Sequence, residues 1–306
     1  MHDNQCRKSK KMVAAKNMTN NFLLKRFSIL SLAPTITIML FVFGAPLLFS
    51  LFLSFQGLGG SFSTFSGRFV GLENYSDLFE NGRFTSSMLR TIYFTLIVVM
   101  IEMILGTLIA LLLNTELKYI GFFRTLIILP MMVTPIVAAL CWKLLFDANS
   151  GIINYLVGVQ INWLGDPRTS IFAVAAVNVW QNSPFVAVLI LAGLKSLPKD
   201  VLEAASLDGA TSTQAFLFIT LPLLKPYITV ALLLRTIFEF RSFDNVFVMT
   251  GGGPADSTML LSIFTYLVSF VRFDLSLAAA ASWIMLSIVL ILCFGLIGVL
   301  RYGPIR

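Results

Sequence analysis

The sequence predicts an all-α polytopic membrane protein with six transmembrane helices and both termini in the cytoplasm. Three observations carry that prediction. The chain of 306 residues is 57% hydrophobic and only 12% charged, with a mean hydropathy of +0.87, where soluble domains carry about 25% charged residues. Apolar stretches long enough to cross a bilayer as helices recur along it, and the short alternating segments of a β-barrel are absent. Finally, lysine and arginine are unevenly divided between the segments joining those stretches.

The predicted spans are residues 30–55, 91–114, 124–146, 170–194, 226–249 and 277–300. With the N-terminus inside, the inner segments hold fourteen Lys and Arg and the outer segments five, namely Arg68, Arg83, Arg90, Arg168 and Arg272. That is a positive-inside bias, and it also puts the loop Lys195–Lys225 in the cytoplasm. Seven of the basic residues precede Phe27, so the net charge of +7 belongs largely to a juxtamembrane tail. It gives no case for a nucleic-acid partner; the partner it implies is membrane lipid. The first apolar run is too long for a cleaved signal peptide and lacks its exit site.

Chemistry-bearing motifs are few. The one histidine, His2, and the scattered Cys6, Cys141 and Cys293 support no metal site. The run Thr250-Gly-Gly-Gly-Pro is not a phosphate-binding loop, because no Gly-Lys-Ser/Thr follows. No Walker motif occurs, so ATP, if used, is bound by another polypeptide. Nothing suggests a catalytic residue.

In order along the chain, the first span carries Pro34 and Pro46 and the third carries Pro130 and Pro135. Such prolines kink helices, for packing geometry or as a gating hinge. Residues 56–90 are too polar to span, and the stretch Gly71-Leu-Glu-Asn-Tyr reads as the start of a short interfacial helix on the outer face, with Tyr75 and Phe79 at the headgroups. Glu102 lies in the second span, where an acid must face a partner helix, a pore or a proton relay. Asn178, Gln181, Asn182 and Phe185 fall on one face of the fourth span. In the fifth, Arg235, Glu239 and Ser242 share a face, with Arg241, Asp244 and Asn245 beside it. Two readings stay open: Arg235 and Glu239 pair as a structural i, i+4 couple, or these seven residues line a solute pathway, with Trp142, Trp180 or Phe185 for stacking.

The polar loop between spans four and five reads as helix, tight turn, helix. Pro198 suits a first helical turn, Asp200 and Glu203 complement the N-terminal dipole, and Asp208-Gly209 supplies a stop. A second helical stretch over 211–220 is expected to end before Leu221-Pro222.

Glu203-Ala204-Ala205, then three residues to Gly209, nine to Ile219, and one to Leu221-Pro222 resembles the EAA signature of binding-protein-dependent ABC importer permeases. Gly71-Leu-Glu-Asn-Tyr and Phe243-Asp-Asn-Val-Phe-Val-Met-Thr-Gly-Gly-Gly-Pro resemble the carbohydrate-uptake branch, the MetI-like or MalF-like permeases. The resemblance implies a basic tail over 1–29, a first helix and outer loop over 30–87, a permease core over 88–300, and a short cytoplasmic end over 301–306. It implies a bacterial inner-membrane subunit that is not itself an enzyme and binds no cofactor, ATP and Mg being held by a partner ATPase dimer. The other implied partners are a second homologous permease, an extracytoplasmic solute-binding protein and a carbohydrate-type solute. The loop would form a coupling helix on the ATPase, involving Glu203, Ala204, Ala205, Asp208, Gly209, Ala210, Leu221 and Pro222. The competing class is an ion-coupled secondary transporter or channel, for which Glu102, Arg235 and Glu239 supply intramembrane charge.

Overall fold

Apolar length sets the long helices, and prolines and glycines set where they break. A computed structural model describes residues 32–57, 67–115 and 118–302; the basic tail at 1–29 and the last four residues lie outside these. Contacts divide the chain into two units, Met1–Ser54 and Phe55–Arg306.

The first unit contributes one helix, α1 (Leu32–Ser54). A widened π turn, Leu40–Gly44, lies just before Pro46. The proline ring would meet the carbonyl of Val42 in a regular helix, and the wider turn lets the helix continue. Phe41, Phe43 and Leu48 on it are exposed, as suits a helix solvated by lipid.

The second unit opens with a two-residue antiparallel ladder, β1 (Gln56–Gly57) with β2 (Arg68–Phe69), in the register Gln56 with Phe69. A helix follows at the position expected of the interfacial one, α2 (Glu73–Glu80). Its Tyr75 packs on Phe55 at 5.8 Å between ring centroids and is only half exposed, while Phe79 meets Phe84 edge-on at 5.9 Å.

The second span is longer than its apolar core. As α3 (Gly82–Leu113, 32 residues) it starts where the Asn81 side chain accepts from the amides of Arg83 and Phe84. At 1.5 Å per residue it is about 48 Å long, well beyond a hydrocarbon core of about 30 Å. It packs along α7 (Ser170–Ser196). Gly106 permits that approach: a Cβ there would stand 2.5 Å from Cβ of Val186 and 3.0 Å from the Ser183 carbonyl. Small residues bring helices this close where lipid offers no hydrophobic drive to associate.

The third span is not one helix. It breaks into α4 (Ile120–Met132) and α5 (Pro135–Leu145), bent by 95°. Val133 and Thr134 are extended, with ψ of 135° and 141°; for Thr134 the cause is Pro135, since the residue before a proline is disfavoured in the helical region. A short helix, α6 (Ile152–Val157), lies between α5 and α7.

After α7 come α8 (Lys199–Leu207) and α9 (Ser212–Ala215). The expected stop before Leu221-Pro222 is absent. A π turn, Phe216–Thr220, runs straight into α10 (Leu221–Phe240), with the Leu221 amide donating to the carbonyl of Phe216.

The fifth span also breaks. After α10 the chain leaves helical geometry at Arg241–Phe243 and re-enters as α11 (Asp244–Thr250). A helix that apolar length alone had merged into the loop then appears, α12 (Leu261–Tyr266), continued by a π turn to Val271. Its Leu261, Ile263 and Phe264 are buried in the main core. The last helix is α13 (Leu275–Tyr302). Among the described residues five helices are long and apolar enough to cross a membrane, and the bent α4–α5 pair makes six if it counts as one span.

Candidate functional site

Two helix breaks, α4–α5 and α10–α11, flank the polar middle of α7, and a cavity of about 560 Å3 lies among them. Irregular backbone at membrane depth is tolerated only where protein or a wet cavity satisfies it, and both conditions are met. The Val133 carbonyl, freed by the first break, accepts from Gln181 Nε2 at 2.9 Å. At the second break the Ser242 carbonyl accepts from the Ser262 hydroxyl at 2.6 Å.

All seven residues read as a pathway from the sequence, Asn178, Gln181, Asn182, Phe185, Arg235, Glu239 and Ser242, line this one cavity. Arg241, Asp244 and Asn245 join them, together with Met131, Val133 and Pro135 from the first break. The helical-face argument treated residues 235–245 as one helix. The break displaces Ser242 from that helix and still leaves it on the cavity wall. Trp142 and Trp180 are not in the lining. They meet edge to face, 5.3 Å between centroids, and Trp142 also packs on Phe146 at 5.5 Å, so of the three aromatic candidates only Phe185 reaches the cavity.

The amides form one cluster. Asn245 Nδ2 donates to Asn178 Oδ1 at 2.9 Å and to Gln181 Oε1 at 3.1 Å. Asn178 Nδ2 donates to the Val174 carbonyl, and Asn182 Nδ2 to that of Asn178. Asn245 therefore ties α11 to the middle of α7, while Gln181 ties α7 to the break between α4 and α5. Asn245 was visible in the sequence as polar but lacked the helical register that singled out the others.

The charges are shared by three helices. Arg235 donates from Nε and Nη2 to both carboxylate oxygens of Glu102, at 2.7 and 2.8 Å, and from Nη2 to Glu239 at 3.0 Å. All three are buried. Both open readings of the pair meet here: Arg235 and Glu239 do pair, and both also line the cavity. Glu102 is the partner-helix acid among the readings of the second span. The network bolts α3 to α10, and a buried charge is tolerated because it is paired and hydrogen-bonded.

The eight residues of the EAA segment lie apart from the cavity. Glu203, Ala204 and Ala205 are on α8, and Asp208 caps it. The Gly209 amide donates to the Ser206 carbonyl at 3.2 Å and the Ala210 amide to that of Ala205 at 3.0 Å. This double bond pattern is a Schellman cap, whose first residue past the cap takes a left-handed conformation. Gly209 does so with φ of +80°, and a Cβ there would meet nothing within 4 Å. The spacing from Ala205 to Gly209 is thus that of a helix end: the glycine is needed for its backbone, not for room. Thr211 then starts the next helix in a capping box with Gln214. Glu203, Ala204 and Asp208 are exposed, Ala205 is buried, and Leu207 is 89% exposed. Leu221 and Pro222 are exposed at the start of α10, inside continuous helix and not at a helix end.

Beyond the membrane segments, the Asp147 carboxylate accepts from the Ser150 amide and hydroxyl and from the Asn149 amide. These bonds, led by the Ser150 amide, hold its carboxyl below the usual carboxylate range. Among the described residues no group of His, Cys, Asp and Glu is placed to hold a metal ion.

Comparison with known proteins extends the picture. Residues 102–302 match the family described as "Binding-protein-dependent transport system inner membrane component". A probable ABC transporter permease protein y4oQ of Sinorhizobium fredii is 39% identical over 84% of this chain and 84% of its own length. The trehalose/maltose transport system permease protein MalF of Thermococcus litoralis is 41% identical over 65% of this chain and 68% of its own. The fold matches a chain of a bacterial ABC transporter involved in the import of the acidic polysaccharide alginate, with a TM-score of 0.79 at 20% identity, covering 94% of this chain and 97% of that one. With the family matched from α3 to the end of α13, the chain belongs to the binding-protein-dependent transport system inner membrane components, the permease subunits of ABC transporters.

Proposed function

We propose that this permease forms, with a second homologous permease, the pathway of an ATP-driven importer for a sugar, oligosaccharide or polyol. The observation that carries the proposal is the cavity itself: two broken helices and the middle of α7 converge on it, and its wall is amide, hydroxyl and paired charge. Hydroxyl-rich solutes need such a lining to replace water, and discontinuous helices commonly build cargo sites in transporters. The trehalose/maltose permease among the relatives fits this cargo class.

A solute-binding protein delivers the cargo on the face that charge counting makes external, and separate ATPase subunits drive the cycle. The exposed face of α8 and its Schellman turn supply the docking surface for those ATPases, with Glu203 making a charge-assisted contact and Gly209 setting the bend. Because the helix runs on from α9 through the π turn into α10, motion of the docked turn is passed to the residues that line the cavity.

The test is uptake of the sugar that the partner solute-binding protein retains, in cells carrying the whole transporter. ATP depletion abolishes it and an uncoupler alone does not. Gly209→Val, which the left-handed backbone does not accommodate, abolishes it while the permease still inserts and the solute-binding protein still holds the sugar. Undiminished uptake by that variant removes the coupling role from the turn.

A further inference from the structure

We infer that the break between α10 and α11 is the part of the wall that grips the cargo: Arg241 and Asp244 hydrogen-bond neighbouring hydroxyls of a sugar ring, and Phe243 between them packs on the ring's C–H face. This rests on the reading of the cavity as the cargo pathway. It follows from what each charged side chain of the wall already holds. Arg235 and Glu239 are 4% and 2% exposed and bonded to each other, and Glu102 takes Nε and Nη2 of the same arginine. They keep Nη1 and Oε1 for a ligand, but neither can turn towards one without breaking a buried ion pair. Their first task is to hold α3 to α10.

Arg241 and Asp244 are the opposite case. Both line the cavity and both are exposed. Among the described residues neither side chain makes an ion pair or a hydrogen bond, so the whole guanidinium fork and both carboxylate oxygens are unshared. Charged groups at membrane depth face water, protein or a ligand and not lipid. The break itself lets them stay apart. Arg241 follows the C-terminal end of α10 and Asp244 stands in the first turn of α11, so each charge is favoured by the helix end beside it.

The backbone that presents them is fixed. The Arg241 and Ser242 amides donate to the carbonyls of Phe238 and Glu239, and the Phe243 carbonyl accepts from the Phe247 amide at 2.8 Å. Phe243 also lines the cavity. Its ring is half-buried, stacked on Phe247 at 5.0 Å and held from α12 by Tyr266 at 5.3 Å. A guanidinium, an aromatic ring and a carboxylate thus lie within four residues on one rigid turn. A sugar hydroxyl both accepts and donates, so it satisfies the cation and the anion alike through charge-assisted bonds. The C–H face of its ring suits the negative face of an aromatic one. Placement favours cargo over a partner chain, because all three side chains lie on the concave wall together with the amides.

The test uses the purified full-length chain in lipid nanodiscs and saturation-transfer NMR with trehalose, maltose and sorbitol as probes. Transfer to at least one of them is expected, strongest at ring C–H protons when the probe is a sugar. Arg241→Gln and Asp244→Asn should each weaken that probe by at least about tenfold, the size of one charge-assisted hydrogen bond, and Phe243→Leu should reduce the C–H transfer. These three variants should unfold at the temperature of the unaltered chain, a result that a merely structural role would not give. Unchanged affinity in both charge variants, with binding still blocked by the cavity-filling Asn182→Trp, overturns the assignment and leaves the cavity as pathway. Loss of a second permease from the complex purified with either charge variant also overturns it, since the charges then belong to a subunit interface. Binding that survives Asn182→Trp, or transfer to none of the three probes, overturns the pathway reading itself.

Discussion

Glu102 and Arg235, 133 residues apart in sequence, join α3 to α10 through two hydrogen bonds of 2.7 and 2.8 Å in a buried part of the bundle. Taking away one member of such a pair strands the other, a loss of about 3–5 kcal/mol. Arg235→Ala, which leaves both Glu102 and Glu239 buried without a cation, should therefore lower the unfolding temperature in detergent sharply. The triple change Glu102→Gln, Arg235→Gln, Glu239→Gln should recover part of that loss, because no charge is then left buried. Equal damage from the single and triple variants would show that shape, not charge pairing, holds the helices.

Gly106 gives a purely steric expectation. Alanine there places a Cβ against Cβ of Val186, and overpacking of this kind costs about 1–3 kcal/mol. Val186→Ala in the same chain should not restore stability, since the clashing Cβ remains, whereas Val186→Gly should. Thermal unfolding of the three variants checks the order.

At Gly209 the demand is on the backbone. With φ of +80° and open space around a Cβ, the expected ranking of substitutions is Asn, then Ala, then Val. Asparagine tolerates the left-handed region, and other residues lose about 1–2 kcal/mol there. Proteolysis at the turn between α8 and α9 reports it. Equal sensitivity in all three would deny the helix-cap account of the motif's spacing.

Gln181→Leu removes the donor to Val133 and an acceptor of Asn245. Leaving one part-buried carbonyl without a partner costs up to about 1–3 kcal/mol, and the freed break between α4 and α5 should become mobile. Faster amide exchange at residues 133–138 is the expected readout.

The Asp147 turn carries the pH dependence outside the membrane. Its carboxyl is held below the usual carboxylate range by the Ser150 and Asn149 donors. The bonds therefore favour the folded turn at pH above the ordinary aspartate value of about 4, and that contribution is lost as pH falls through the lowered one. Exchange of the Ser150 amide should rise only in strongly acidic solution, and in Asp147→Ala it should be fast at every pH.

Much of this was legible in the residues. Apolar length located every long helix, and the polar spacing of Asn178, Gln181 and Asn182 found one wall of the cavity before any geometry was known. The spacing of Ala205 to Gly209 carried a helix end that only the αL backbone explains. What the sequence concealed has a common cause. Composition reads the same through a straight helix and a broken one, so the extended pair Val133–Thr134 and the break at Arg241–Phe243 were merged into single spans. For the same reason Leu221-Pro222 read as a stop, although a π turn upstream lets the helix pass. The partner of Glu102 lies on another helix, a relation that no local pattern encodes.

The most direct measurement of the central claim is the composition of the complex that this chain forms. The full-length permease is cross-linked in its native membrane, purified under mild detergent and analysed by mass spectrometry. A second permease and a pair of ATPase subunits, cross-linked through residues 199–210, are expected to accompany it. Recovery of the chain alone, with uptake that survives ATP depletion and is abolished by an uncoupler, would contradict the account and identify an ion-coupled transporter instead.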